Sequence, residues 1–299
     1  MLDLAIIIVS WNCREYLSGC LRSIVSSGTQ SRYTVLVVDN DSSDGTVPYV
    51  REMFPSIRIL TNTSNVGFAA ANNQGMRGVQ SRYVLLLNPD TLLHPGALDA
   101  MIGFMDEHTG AWAAGPAIVK EALFFDRLFP RSKLFGRHKE LYEDPGRVRE
   151  VDYLQGSCLM VRTEAIGIIG DLDEQFFMYF EETDWCYRMK QAGGKVLYCP
   201  TATVVHFGGN GPGHFDEHRL VYYHRSLLLF YRKHFTPGKA VVLRFLLVIR
   251  SLLRIILWGG TGVLRPALRH SAISSARGYA RTLRDLLTHF ERFPVRKTA

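Results

Sequence analysis

Short, mostly apolar runs recur along the first third of the chain, at 6–9, 35–38, 57–60 (with Arg58 inside it) and 83–87. Apolar residues on successive positions predict strands covered on both faces. Between the runs the spacing changes. Tyr16, Leu17, Cys20, Leu21, Ile24 and Val25 follow the i, i+3, i+4 rule of an amphipathic helix. Strand alternating with helix predicts an α/β fold whose central sheet is mostly parallel, with flanking helices and right-handed crossovers. Such sheets bind ligands at the carboxyl ends of their strands.

Those ends are polar here. The first run leads into Ser10-Trp11-Asn12, the second into Asp39-Asn40-Asp41-Ser42-Ser43-Asp44-Gly45, and the fourth into Asn88-Pro89-Asp90-Thr91. Loops are polar in any protein, but here three polar ends fall on one edge of one sheet.

Residues 121–150 mix phenylalanines (Phe124, Phe125, Phe129) with Arg127, Arg131 and Lys133, and Pro130 and Pro145 interrupt them. They read as a mobile excursion over the site. Regular pattern then returns. Residues 158–161 predict a strand, and 181–192 a helix closed by Gly193-Gly194. Residues 195–199 and 203–206 predict two further short strands, and 214–234 an aromatic, basic helix. Residues 239–264 are the most apolar stretch, but Arg244, Arg250 and Arg254 break it up. An arginine at the centre of a spanning helix costs about 2.5–3.5 kcal/mol on insertion scales, so an amphipathic helix lying in a membrane interface is expected instead. The expected organisation is an α/β domain over 1–235 and a basic amphipathic helical region over 236–299.

Of the 299 residues, 47 % are hydrophobic and 21 % charged, enough for a full core and unlike a disordered chain. The formal net charge of +7 points to anionic partners. It concentrates in the C-terminal tail and not in a recognition fold, so nucleic acid is not the expected partner. The five cysteines are odd in number and show no C-x-x-C spacing, as expected of reduced thiols in a cytosolic protein. No signal peptide precedes the first apolar run.

Several groups have the chemistry of a site, and each has a plainer reading beside it. Asp39 suits the ring N–H of uracil or thymine, with Ser10 and Asn12 in reach of base or ribose; it also suits a turn carboxylate. Residues 65–75, with Gly67, Asn72 and Gly75, suit close approach of a diphosphate to a helix N-terminus, or a tightly packed helix. Asp90 suits Mg²⁺ or Mn²⁺ bound against a diphosphate, or an ordinary Asn-Pro-Asp turn. Glu181-Glu182-Thr183-Asp184 supplies candidate bases, or simply favours a helix dipole, with Asp184 pairing to Arg188. His206 suits a metal ligand or a structural histidine.

In their order along the chain these motifs resemble the family 2 glycosyltransferases, whose nucleotide-diphospho-sugar fold is called GT-A, and most of all the bacterial rhamnosyltransferase type. The motifs are Val9-Ser10-Trp11-Asn12, Val38-Asp39-Asn40-Asp41, residues 65–75, Leu87-Asn88-Pro89-Asp90, Gly156-Ser157-Cys158, Phe180-Glu181-Glu182-Thr183-Asp184-Trp185 and Val205-His206-Phe207-Gly208-Gly209. The resemblance covers about residues 4–235. It implies that Ser10, Asn12 and Asp39 hold the nucleoside, and that Gly67 and Asn72 lie near ribose and diphosphate. Asn88-Pro89-Asp90 stands where the family has its metal-binding D-x-D, with Asn88 replacing the first Asp. Asp90 and His206 would hold the metal, Mg²⁺ or Mn²⁺. Glu182 stands where relatives carry their base, and Glu181 beside it is the other candidate.

The implied reaction is inverting transfer of a sugar to an acceptor hydroxyl of a lipid-linked or cell-envelope glycan. The donor would be dTDP-L-rhamnose or a UDP-hexose, and the place the cytoplasmic face of the plasma membrane, peripherally bound. The substituted D-x-D keeps a second reading open, a nucleotide-sugar-binding or membrane scaffold protein of weakened activity.

Overall fold

The computed structural model describes residues 2–120, 146–208, 217–264 and 269–288. In chain order, the elements of its first half are β1 (Leu2–Ser10), α1 (Arg14–Val25), β2 (Tyr33–Asp39), α2 (Thr46–Met53), β3 (Arg58–Thr61), α3 (Phe68–Arg77), β4 (Ser81–Leu87), β5 (Thr91–Leu93), α4 (Ala97–Glu107) and β6 (Ala111–Lys120). There follow β7 (Arg149–Glu150), β8 (Cys158–Arg162), α5 (Thr163–Ile169), α6 (Glu181–Gln191), β9 (Lys195–His206), α7 (Glu217–His234), α8 (Pro237–Leu264) and α9 (Arg269–Thr288).

The described residues fall into two units. The first comprises Met1–Gln175 and Glu182–Gly209, the second Phe176–Glu181 and Asn210–Ala299. The boundary expected at 235/236 falls inside the second unit, in the turn between α7 and α8.

The first unit is built on one sheet of order β3-β2-β1-β4-β8-β6-β9-β5, with β7 also paired to β9. From β3 to β4 all pairings are parallel, and β1 stands between β2 and β4 in the manner of a topological switch point. Beyond β4 the sheet is mixed. β8 runs antiparallel to both β4 and β6, and β9 runs parallel to β6 but antiparallel to β5 and β7.

The side-chain period of two sorts the apolar runs onto both faces. Leu4, Ile6 and Ile8 pack with Leu17, Cys20, Leu21 and Ile24 of α1 and with α4. Ile7 and Val9 pack on the other face with Ala69, Ala71 and Met76 of α3 and with Trp185 and Met189 of α6. Gly75 lets α3 lie close to the sheet, because a Cβ there would stand 2.5 Å from Ile7 Cγ2.

Two expectations are corrected. Residues 57–60 are not covered on both faces: β3 is an edge strand, with Arg58 and Thr61 exposed. The two strands expected over 195–199 and 203–206 are one, β9. Its register on β6 shifts between Pro116 and Ala117, which absorbs Pro200 at an irregularity where the ladder loses no donor. The excursion expected over 121–150 lies outside the described residues up to 145, and β7 begins at Arg149.

In the second unit α9 packs against both α7 and α8. Arg225 of α7 pairs with Asp285 of α9, and Arg281 Nη1 lies 3.1 Å from His218 Nε2. Phe180 stacks near Tyr223 and Phe230 at 5.3 and 5.9 Å between ring centres. Among the described residues no helix is long and apolar enough to cross a membrane.

Candidate active site

The site is assembled where β1, β2 and β4 end. Asn12 follows β1 in the left-handed region (φ 49°), a conformation Asn tolerates better than bulkier residues. Its side-chain oxygen accepts the Ser43 N–H at 2.8 Å, and its own N–H donates to Ser42 Oγ at 2.9 Å. Arg14 N–H donates to Asp44 Oδ2 at 2.9 Å. The loops after β1 and β2 are thereby laced into one rim. Burial raises the Asp44 pKa, but hydrogen bonds from Thr46 and Arg14 outweigh it and hold the carboxyl below its ordinary value.

Asp39 combines both readings of it. Oδ2 accepts the Ser42 N–H at 2.9 Å, closing the turn. Oδ1 is buried with no hydrogen-bond partner among the described residues. Ser10 is turned inward: its side chain is fully buried, its Oγ lies 3.3 Å from Cys13 Sγ, and its carbonyl accepts the Asn40 N–H at 2.8 Å.

Beneath the rim lies a side-chain amide network that the sequence reading left without a role. Asn40 Nδ2 donates to Asn65 Oδ1 at 3.2 Å and to the Gly67 carbonyl at 3.3 Å. Asn62 Nδ2 donates to Asn40 Oδ1 and to Gln74 Oε1, both at 2.9 Å. Asn65 Oδ1 accepts the Gly67 N–H at 3.0 Å. Gly67, at φ 88°, is the N-cap of α3 and adopts a backbone that only glycine enters without strain. No side chain caps that helix, so its first N–H groups remain open to a ligand. Asn72 is buried one turn in and donates Nδ2 to its own helix, at the Phe68 carbonyl, 2.9 Å. The recurring asparagines and the Asn65-x-Gly67 spacing were the signal for this network.

At the tip of β4 the structure brings the two metal candidates together, His206 Nε2 standing 3.2 Å from Asp90 Oδ1. Asn88 Nδ2 lies 3.5 Å from the same ring nitrogen. Asn88 Oδ1 and His206 Nδ1 are buried with no hydrogen-bond partner among the described residues. Pairing of β5 with β9 sets the contact, since Thr91 is in register with His206. Among the described residues no three His, Cys, Asp or Glu side chains gather as a metal cage.

The turn before β8 links this corner to α6. The Ser157 carbonyl accepts Asn88 N–H at 2.9 Å and Thr91 Oγ1–H at 3.3 Å. A Cβ at Gly156 would lie 3.6 Å from Cβ and Cγ of Glu182 and from Phe68 Cε1. Glu182 is half-buried, whereas Glu181 is buried at 5 % exposure. Two bulky residues precede them in the left-handed region, Tyr179 (φ 69°) and Phe180 (φ 66°), a conformation such residues rarely hold. Asp184 is fully buried and accepts from Arg188 Nε at 2.8 Å, as the i, i+4 spacing led one to expect.

The five cysteines are free. Burial pushes the thiols of Cys20 and Cys158 well up and that of Cys186 to about 12, so these are inert core residues.

Comparison with known proteins bears on this geometry. Over 257 residues the chain is 27 % identical to the Mycobacterium tuberculosis N-acetylglucosaminyl-diphospho-decaprenol L-rhamnosyltransferase, covering 76 % of this chain and 83 % of that protein. It is 24 % identical to the Escherichia coli K12 rhamnosyltransferase WbbL, covering 68 % and 82 %. A crystal structure of GalNAc-T7 with UDP, GalNAc and Mn²⁺ superposes with a TM-score of 0.55 at 15 % identity, covering 78 % of this chain but only 51 % of that one. That likeness speaks for the fold alone, the expected GT-A architecture. Residues 5–167 match the family described as glycosyl transferase family 2. With more than half of its length inside that match, the chain belongs to glycosyl transferase family 2.

Proposed function

We propose that this protein moves a sugar, with inversion, from a nucleoside diphosphate carrier onto an acceptor hydroxyl of a lipid-linked or cell-envelope glycan. The rhamnosyltransferase names of its relatives favour dTDP-L-rhamnose as donor, with a UDP-hexose as the other choice. The observation that carries the reading is the Asp90–His206 pair at the tip of β4, in a chain of this family. A carboxylate oxygen and an imidazole nitrogen form a donor set suited to Mn²⁺, and the carboxylate suits Mg²⁺. The partnerless Asn88 Oδ1 and His206 Nδ1 leave this corner with polar capacity to spare. Because no three-residue cage gathers among the described residues, phosphate oxygens and water would complete the set, as is usual for these ions. When bound, the cation supplies charge neutralisation to the departing diphosphate.

The chain's own residues do the rest. Asp39 Oδ1 accepts from the base, and the uncapped start of α3 receives the diphosphate. Glu182 takes the acceptor proton, favoured over Glu181 because it is the more accessible of the two. A lipid-carried acceptor, as in the name of the mycobacterial relative, supports peripheral binding at the cytoplasmic face of a membrane.

Turnover of labelled dTDP-rhamnose and UDP-hexoses on a polyprenyl-diphosphate sugar tests the reading. Transfer is expected, with loss in excess EDTA, restoration by Mn²⁺, and loss in Asp90→Ala without loss of fold. Full activity in EDTA removes the metal assignment. Donor binding with no turnover favours the scaffold reading that Asn88 keeps open.

A further inference from the structure

α8 inverts the arrangement that an amphipathic helix adopts in water. One stripe, formed by Ala240, Arg244, Leu247, Ser251 and Arg254, is buried or half-buried. It carries two of the helix's three arginines and its one serine. The polar groups of Arg244 and Ser251 find partners within the second unit. Arg244 donates from Nε to the Leu286 carbonyl at 2.9 Å and from Nη2 to the Leu287 carbonyl at 3.4 Å, in the last turn of α9, where the helix dipole favours a cation. Ser251 Oγ donates to the Leu247 carbonyl at 2.7 Å. The outward stripe is the apolar one: Phe245, Leu246, Leu253, Ile256 and Leu257 are each more than half exposed. A helix in water buries its apolar stripe, and a contiguous exposed patch of this kind marks a contact surface.

We propose that this outward stripe of α8 is inserted in the acyl-chain layer of an anionic lipid bilayer as an anchor that does not cross it, with Lys239 and Arg250 at its edge facing the headgroup phosphates. The proposal deepens the membrane-surface reading above and rests on it. Two observations choose lipid over a second copy of the chain. Lys239 and Arg250 of α8 are exposed and, by helical spacing, flank the stripe beside Leu246, Leu253 and Leu257, and Asp285, the one acidic residue in α8 and α9, is held by Arg225. Anionic headgroups complement that basic edge, whereas a two-fold pairing of the same face finds no acidic partner for it.

The test uses the full-length protein and vesicles of phosphatidylcholine with phosphatidylglycerol. Binding by inserted side chains is expected to persist at about 1 M salt, where screening shortens the Debye length to about 3 Å. The double variant Leu253→Glu/Ile256→Glu is expected to lose about a hundredfold or more in vesicle affinity, each large aliphatic side chain withdrawn from lipid being worth about tenfold or more. Its circular dichroism and its transfer to a short-chain, water-soluble acceptor should stay unchanged. Brominated acyl chains should quench the fluorescence that an Ile256→Trp variant gains over wild type, a readout on the exposed stripe that needs no folded glutamate variant. Release of wild type at high salt, unchanged binding of the double variant, or no quenching of the indole in Ile256→Trp overturns the insertion. A lipid-free dimer that the double variant dissociates, with no vesicle binding by wild type, assigns the stripe to a second copy and overturns it too. Wild type that binds vesicles but transfers no sugar, with Ile256→Trp quenched, supports the insertion and counts against the transferase reading alone.

Discussion

Asp39 has two oxygens in two situations. One accepts a backbone N–H and would be needed in any protein with this turn; the other is buried and without a partner. An unsatisfied buried acceptor costs about 1–3 kcal/mol, a cost that a ligand N–H removes on binding. The glutamate pair poses a different question, because both residues share the N-terminus of one helix. Glu182 is half-buried beside Gly156, whose following residue holds Asn88; Glu181 is buried. Glu182→Gln is therefore expected to lower the transfer rate by about 10²–10⁴, the usual worth of a general base, while donor affinity by calorimetry stays near wild type. Glu181→Gln is the paired control and should lose less. A dead Glu181→Gln beside an active Glu182→Gln reverses the choice of base, and two active variants make the cluster a helix cap. At this scale much was legible. The Asp184–Arg188 pair followed from spacing alone, and Asp90 with His206 from motif order. The inward turn of Ser10 was not, because a polar residue at a strand end looks the same whether its hydroxyl meets a ligand or a neighbouring thiol.

At the scale of elements, apolar runs identified the strands but not their neighbours. β3 groups with the other apolar runs in sequence despite Arg58, and its place at the sheet edge leaves Arg58 and Thr61 exposed. Pro200 looks like a break, and β9 passes through it because the register on β6 shifts there. The amide network of Asn40, Asn62, Asn65 and Gln74 joins three segments, so the recurring asparagines hint at it but local pattern does not give its pairings. α7 holds a further feature of this kind. His224 is buried, with Nδ1 against the Leu220 carbonyl at 2.6 Å, and burial with nearby Arg250 lowers its pKa to about 4 despite that hydrogen bond. The folded value lies below the unfolded value of about 6.5, so the unfolded chain binds the proton more readily. Stability is then full above about pH 6.5, falls as pH drops from there toward 4, and levels off below. Between pH 7 and pH 5 the loss should be about 2 kcal/mol in urea unfolding of the second unit's helices. His224→Phe should flatten that part of the pH profile, and an unchanged slope would mean that the imidazole is solvated in solution.

For the whole molecule, a bound donor reports on the tips of β1, β2 and β4 at once. A ligand that binds only the folded state stabilises it by RT ln(1 + [L]/Kd), about 2.7 kcal/mol at a hundredfold excess over Kd. For a domain of the first unit's size this is a rise in melting temperature of roughly 5–10 °C. UDP or dTDP with Mn²⁺ is expected to produce such a rise, and the nucleotide without metal a smaller one. The two increments should separate by mutation, since they arise at different strand tips. Asp39→Asn keeps an oxygen for the Ser42 N–H but turns the partnerless acceptor into a donor, so it should remove the nucleotide increment and leave the unliganded melting temperature nearly unchanged. Asp90→Asn keeps shape beside His206 but removes the charge, so it should remove only the increment that Mn²⁺ adds. The pyrimidine assignment fails if GDP stabilises as well as UDP and dTDP do. The metal assignment fails if excess EDTA leaves the full shift in place. If Asp39→Asn and Asp90→Asn each abolish both increments, base and metal contacts are coupled through the diphosphate and must be treated as one site.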